Sequence, residues 1–345
     1  MHTHLPFHAP ESFGYERQSH VKVDALALLK CELTMSDAHA VLRRIRLAVR
    51  AGIPSTESAL TPPDESLDRA APAAPTAETT APLPSHWFRS SAVLDMRGLR
   101  VAAESHPNAP LLVNGISLSI TRGEAVGLVG DADSGALEVA QCIAGLLPAP
   151  SIIRSGSILF NGAEQVGLPP RPRDRLRDAR IAYLPRDPIG SLDHAATVGT
   201  QLTAPLRSRG LSKSAAYERA LAVLDLAGIE RPEHTFTAYP HELSALLAQR
   251  VHIAASLTGK PDLVVADNPT DALGVSDSSD ILDLLRVLQR DNGLTMIMMT
   301  RSVSVAALTC HRVAIFRAGT IVEYASVAEL FSSPKHPYTR ELLRT

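Results

Sequence analysis

The sequence predicts an α/β fold built on parallel strands, and three observations carry that prediction. An apolar stretch, Ala125 to Val129, runs into Gly130-Asp131-Ala132-Asp133-Ser134-Gly135-Ala136-Leu137 and then into an apolar helix over Leu137 to Leu147. Two glycines at this spacing between a strand and a helix match the frame of a phosphate-binding loop, G-x-x-x-x-G-K-[ST]. A second apolar run, Leu263 to Ala266, ends in Asp267. That is the pattern of a buried parallel strand delivering a carboxylate at its C-terminal end, where ligands of open α/β sheets bind. Ile281, Leu284, Leu285 and Leu288 repeat at helical spacing within 280–289 and read as a core-packing stripe.

The loop keeps its frame and lacks its chemistry. Ala136 stands where the template has a lysine that reaches the β/γ-phosphates, and Leu137 stands where a hydroxyl holds Mg²⁺. By itself this segment also reads as an ordinary strand–turn–helix connection. The order of segments downstream decides between the two. Tyr183-Leu184-Pro185-Arg186-Asp187-Pro188 follows a short apolar strand from Ile181. Leu243-Ser244-Ala245-Leu246 leads through Gln249-Arg250-Val251 into an apolar stretch, Ile253 to Leu257. Asp267-Asn268-Pro269-Thr270-Asp271-Ala272-Leu273 comes next, then Met298-Met299-Thr300-Arg301. The chain closes on Gly319-Thr320-Ile321-Val322-Glu323 and Pro334-Lys335-His336-Pro337-Tyr338-Thr339-Arg340-Glu341-Leu342-Leu343.

In this order the chain resembles an ABC transporter ATP-binding subunit, and its tail resembles that of the oligopeptide/dipeptide importers. The resemblance covers roughly residues 93–345. It implies a P-loop NTPase-like domain at 91–345, with a mixed sheet core, an antiparallel β part, a helical subdomain at about 192–257 and a tail at 319–345. Strands of the antiparallel part are expected at Leu94 to Val101 and Gly115 to Ile120. Core strands are expected at Ala125 to Val129, Ile181 to Leu184, Leu263 to Asp267, Thr295 to Met299 and Val313 to Phe316.

The resemblance also implies site residues, and this chain departs from the family at most of them. Nucleotide would lie on Gly130, Asp131, Ala132, Asp133, Ser134, Gly135, Ala136 and Leu137, with Asp267 the candidate Mg²⁺ ligand. The signature is Leu243, Ser244, Ala245 and Leu246 in place of Leu-Ser-Gly-Gly. Arg186 replaces the Gln that senses Mg²⁺ and the attacking water, Asn268 the general-base Glu, and Arg301 the switch His. Ser302 replaces the acid after the switch, Gly274 the D-loop Asp, and Ala103 the aromatic that stacks on adenine. Phosphoryl transfer depends on positioning and charge neutralisation. Loss of the lysine removes a point charge, and Asp133 adds a negative one. Leu137 removes an oxygen from a cation that wants oxygens. Asn268 cannot serve as a base, a role worth roughly 10²–10⁴-fold. No catalytic residue is expected intact.

The implied function is a nucleotide-binding-type subunit of a peptide importer with weak or absent ATP hydrolysis. The alternative is a pseudo-ATPase acting as a scaffold or regulator. ATP and Mg²⁺ are the cofactors that the resemblance implies. Permease subunits and a second ATPase subunit are the implied partners, at the cytoplasmic face of the membrane. The permease contact is expected around Arg186 to Leu192. For the two arginines two readings stand: exposure to solvent, or an internal pair with Asp133 or Asp267 that fills the vacant phosphate position.

Composition bounds the remainder. The 345 residues carry a net charge of −2, which gives no basic signature of nucleic-acid binding. No apolar run approaches the roughly 20 residues of a membrane span, and the N-terminus lacks an apolar signal core. Cys31, Cys142 and Cys310 show no metal spacing and suit a reducing compartment. No iron–sulfur cluster is expected, because the cysteine-rich extension of some family members does not follow Thr345. An N-terminal extension, 1–51, holds His2, His4 and His8 and a helical stretch at 22–51 with interleaved arginines. The histidines read as a polar terminus or a metal site. The helix reads as a docking helix or a basic amphipathic one. Residues 52–90 form a Pro/Ala/Thr-rich linker. The arginine-rich run from Arg171 to Arg180 reads as a solvated loop or helix ahead of a strand.

Overall fold

The computed structural model describes residues 92–168 and 180–344. The extension and linker expected over 1–90, and the arginine-rich run ahead of Arg180, lie outside the described residues.

Two sheets organise the chain. Strands β1 (Ala92–Ala102), β2 (Leu111–Thr121), β4 (Ile152–Phe160) and β5 (Ala163–Glu164) form an antiparallel sheet in the order β2-β1-β4-β5. The main sheet runs β10-β9-β3-β8-β7-β6, from β3 (Ala125–Val129), β6 (Ile181–Leu184), β7 (Leu263–Asp267), β8 (Met296–Thr300), β9 (Arg312–Arg317) and β10 (Thr320–Ser326). Its strands are parallel except β10, which pairs antiparallel to β9.

Every residue of β3, β7 and β8 is buried, as in a sheet covered on both faces. Successive side chains of a strand point to opposite faces, and here they feed two different cores. Val126 and Leu128, Leu263 and Val265, and Ile297 and Met299 pack with β1, β2 and helix α1 (Ala136–Ala144). Val264 and Ala266, and Met296 and Met298, pack with the helical layer. That layer comprises α2 (Val198–Ser208), α3 (Lys213–Leu226), α4 (Pro232–Thr237), α5 (Ala245–Thr258) and α6 (Val275–Asn292). Ile281, Leu282, Leu285 and Leu288 of α6 are buried in it. A third core lies at the β9–β10 edge under α7 (Val303–Thr309), α8 (Val327–Ser332) and α9 (Pro337–Leu342).

Several elements are longer than expected or shifted by a residue, β2 from Leu111, β8 over Met296–Thr300 and α6 over Val275–Asn292 among them, and two further differences have a local cause. Helix α1 stops at Ala144, short of Leu147, because Gly145 adopts φ 67°. Its N–H bonds Cys142 O while Leu146 N–H bonds Gln141 O, a Schellman closure. Strand β4 was not evident in the sequence because Gly156 interrupts it. That residue has φ 106°, and a Cβ there would lie 2.6 Å from Leu99 Cα. The glycine allows β1 and β4 to approach across a register shift.

Candidate functional site

The strand order sets the site. The C-terminal ends of β3, β8, β7 and β6 lie side by side, so the segments after Val129, Thr300, Asp267 and Leu184 meet in that sequence across the sheet edge.

The loop after β3 is held by backbone. Gly130 N–H bonds Thr300 O at 3.3 Å, Ser134 N–H bonds Asp131 O at 3.1 Å, and Gly319 N–H bonds Ser134 O at 2.9 Å. Gly135 adopts φ 89° and passes so close to β2 that a Cβ would sit 2.6 Å from Leu112 O. Asp131, Ala132 and Asp133 are exposed, while Ser134, Gly135 and Ala136 are buried. Ala136 opens α1 with only 2% of its surface exposed, and Leu137 packs against the first core. Glu138, in the first turn, adds a third acid to this end. Burial pushes its carboxyl above the ordinary range; its own backbone N–H opposes this and the Asp133 charge reinforces it. The tail reaches the loop as well: Tyr338 OH donates to Asp131 Oδ2 at 3.3 Å, and Arg317 lies 4.5 Å over the Tyr338 ring. Ala103 sits beyond the end of β1, its N–H bonded to Pro110 O.

Both oxygens of Asp267 are engaged by the protein. Tyr183 OH donates to Oδ2 at 2.8 Å and Asn268 Nδ2 donates to Oδ1 at 2.9 Å. Asn268 adopts φ 42°, a left-handed conformation that Asn tolerates better than most residues. Its Oδ1 is buried and has no protein partner. Burial, with the Asp267 bond and charge, holds the Tyr183 phenol well above its ordinary range, so it is a donor throughout the accessible pH range.

The arginines pair internally, with a different acid from the two expected. Arg186 Nη2 lies 2.9 Å and Arg301 Nη2 lies 3.1 Å from the same Oδ2 of Asp271. Topology explains the choice. Arg186 follows β6, Arg301 follows β8, and Asp271 follows β7, which lies between them. Asp133 follows β3, on the far side of β8, and each oxygen of Asp267 already accepts a bond, from Tyr183 or Asn268. Both arginine side chains remain about 60% exposed (58% and 60%), so the exposed reading also holds in part.

Ser244 caps α5, its Oγ accepting from Leu247 N at 3.2 Å. Leu246 is half-buried and packs against the helical core, so part of its bulk is turned inward. Farther along α5, His252 Nε2 bonds Pro188 O at 2.8 Å and joins the helix to the loop after β6. Among the described residues no three His, Cys, Asp or Glu side chains converge as a metal-ligating group. No helix there is long and apolar enough to cross a membrane.

A glycine loop between a parallel strand and a helix, a second strand ending in Asp267 and a helical layer after β6 define an ATP-binding-cassette type of domain. The family model for ABC transporters matches residues 113–271. The oligopeptide transport ATP-binding protein OppD of Bacillus subtilis is 35% identical over 258 residues, 74% of this chain and 72% of that protein. The dipeptide transport ATP-binding protein DppD of Haemophilus influenzae is 35% identical over 255 residues, 74% of this chain and 77% of that protein. The chain belongs to the family of ABC transporter ATP-binding proteins. Among solved structures, cbiO1 of Clostridium perfringens, part of the ABC transporter complex cbiONQ, aligns with a TM-score of 0.61 at 25% identity over 70% of this chain and 92% of that one. A dimeric ATP-binding cassette bound to ADP and Pi, MJ0796, shares the fold with a TM-score of 0.60 at 22% identity over 68% and 98% of the two chains.

Sequence reasoning passed over Tyr183, Glu138 and the role of Asp271. Tyr183 reads as one more β6 residue until β6 is known to lie beside β7, where it pairs with Val265. Asp271 was visible as a further acid after Asp267, but nothing in one dimension sets it between two arginines 85 and 30 residues away.

Proposed function

We propose that this chain is the nucleotide-binding-type subunit of a peptide importer, and that its own site hydrolyses ATP weakly or not at all. The peptide-importer reading comes from the oligopeptide and dipeptide transport proteins it resembles. The observation that carries the second part is mutual satisfaction. Asp267 is bonded by Tyr183 and Asn268, and Arg186 and Arg301 are bonded to Asp271. The groups that would have to face nucleotide and metal contact one another, while both arginine side chains stay largely exposed. The donor set does not fit Mg²⁺–triphosphate. Ala136 and Leu137 offer neither a cation nor an oxygen, and Asp131 and Asp133 add exposed carboxylates to the loop itself. What remains favourable is a helix N-terminus with its backbone N–H groups.

The test is calorimetric titration of Mg-ATP into the full chain, with phosphate release followed in parallel. The expected result is no heat at millimolar ATP and no release above background. A micromolar dissociation constant with sustained release would overturn the proposal. Ala136→Lys combined with Leu137→Ser should raise nucleotide affinity, because it restores a cation and a hydroxyl to an intact backbone frame.

A second reading, a pseudo-ATPase serving as scaffold or regulator, is favoured by one further observation. The phosphate loop and the signature are both altered, so pairing with an intact ATPase would leave two imperfect composite sites. Co-purification separates the readings. The transport subunit associates with permease subunits; the regulator associates with an intact ATPase subunit in their absence.

A further inference from the structure

Three loops of this site are joined by one carboxylate. Asp271 Oδ2 receives Arg186 from the loop after β6 and Arg301 from the loop after β8. Asp271 itself is set by a turn in which its N–H bonds Asn268 O at 3.1 Å. The loop after β6 is tied again two residues on, where Pro188 O accepts from His252 Nε2 of α5. Gly190 N–H bonds Asp187 Oδ1 at 3.0 Å and closes a turn around Pro188. A continuous run of contacts thus leads from Arg301 through Asp271, Arg186 and Pro188 to α5, the helix that Ser244 caps.

We propose that Asp271 is a built-in anion that locks these three loops, and through His252 the helical layer, into one arrangement without a bound ligand. The inference builds on the reading of a site that does not turn over nucleotide. Two guanidiniums on one carboxylate oxygen would repel each other without it. The carboxylate therefore supplies locally the attraction that an anionic ligand would otherwise have to bring. The arginines are largely exposed, so each pair is modest and salt-sensitive, and the lock acts on loop motion rather than on global folding.

Hydrogen exchange of the full chain, without nucleotide, tests it. In Asp271→Ser the amides of 186–192 and 301–305 should exchange roughly two- to tenfold faster, the range set by two exposed ion pairs. The amides of β3, β7 and β8 should be unchanged, and 1 M salt should reproduce the effect in the wild-type chain. Arg301→Gln, at an exposed side chain, should loosen 301–305 even if Asp271→Ser folds poorly. The charge exchange Asp271→Arg with Arg301→Asp should restore protection there. Unchanged exchange in Arg301→Gln, or acceleration spread evenly over the domain and not reversed by the exchange, would overturn the lock. Parallel runs with Mg-ATP keep the two ideas apart. Protection induced by Mg-ATP in the wild-type chain would sink the idle-site reading while the lock stands on the variants. Loops that ignore the variants would sink the lock alone.

Discussion

Asp267 is the residue on which the site turns. It lies at the end of a fully buried strand with 8% of its surface exposed, and a carboxylate there needs hydrogen bonds to stay. Tyr183 and Asn268 supply one each. Tyr183→Phe removes a donor and leaves its partner oxygen in place. Such a change costs about 1–3 kcal/mol, and we expect the denaturant midpoint to fall accordingly with no change in slope. A loss near zero would mean that Oδ2 is satisfied by other means. Asn268 does two jobs that a glutamate would do less well: it tolerates φ 42°, and its amide donates to Asp267 where a second carboxylate would repel it.

At the scale of the element, the loop before α1 is a backbone device rather than a side-chain one. Gly135 has a φ open to glycine and faces Leu112 O and Gly319 Cα, which a Cβ would approach to 2.6 and 3.0 Å. Neither neighbour is the end of a flexible side chain, so relief requires β2 or the β9–β10 turn to move. Gly135→Ala should therefore destabilise the domain by about 1–3 kcal/mol, through strain of a left-handed non-glycine residue and the clash together. Thermal melting measures it, and an unchanged Tm would show that the loop yields to a methyl group without strain. The same contacts explain how the loop keeps its shape with Ala136 and Leu137 following Gly135. Its geometry is enforced by β2 and the β9–β10 turn.

Across the whole molecule, the helical layer and the main sheet share a core. At the site edge they also share the His252–Pro188 bond. Burial pulls the His252 pKa below its ordinary value near 6.5, while the bond to Pro188 and the charge of Asp187 pull the other way. A histidine whose folded pKa is depressed contributes stability that is complete above the unfolded pKa and is lost as pH falls through the folded one. Stability should thus decline as pH drops below about 6.5. His252→Gln should flatten that part of the curve, as read by denaturant titrations at pH 5.5 and 7.5. An identical pH dependence in the variant would assign the loss to other groups.

How much of this was legible in one dimension depends on range. Core strands β3, β7 and β8 were readable because each is a short apolar run, and burial on both faces leaves no other way to use such a run. The α6 stripe was readable because helical periodicity is local. Ala136 and Leu137 were readable as residue types at fixed offsets from Gly130 and Gly135. Local pattern thus carried the kind of domain and the residue types along its loop. How the charges are satisfied is set in three dimensions. Sheet order sets β7 between β6 and β8, and that order depends on packing among segments far apart in the chain. It brings Tyr183 to Asp267, and Arg186 and Arg301 to Asp271. Electrostatic partners are chosen by distance in space, and no spacing along the chain encodes that distance.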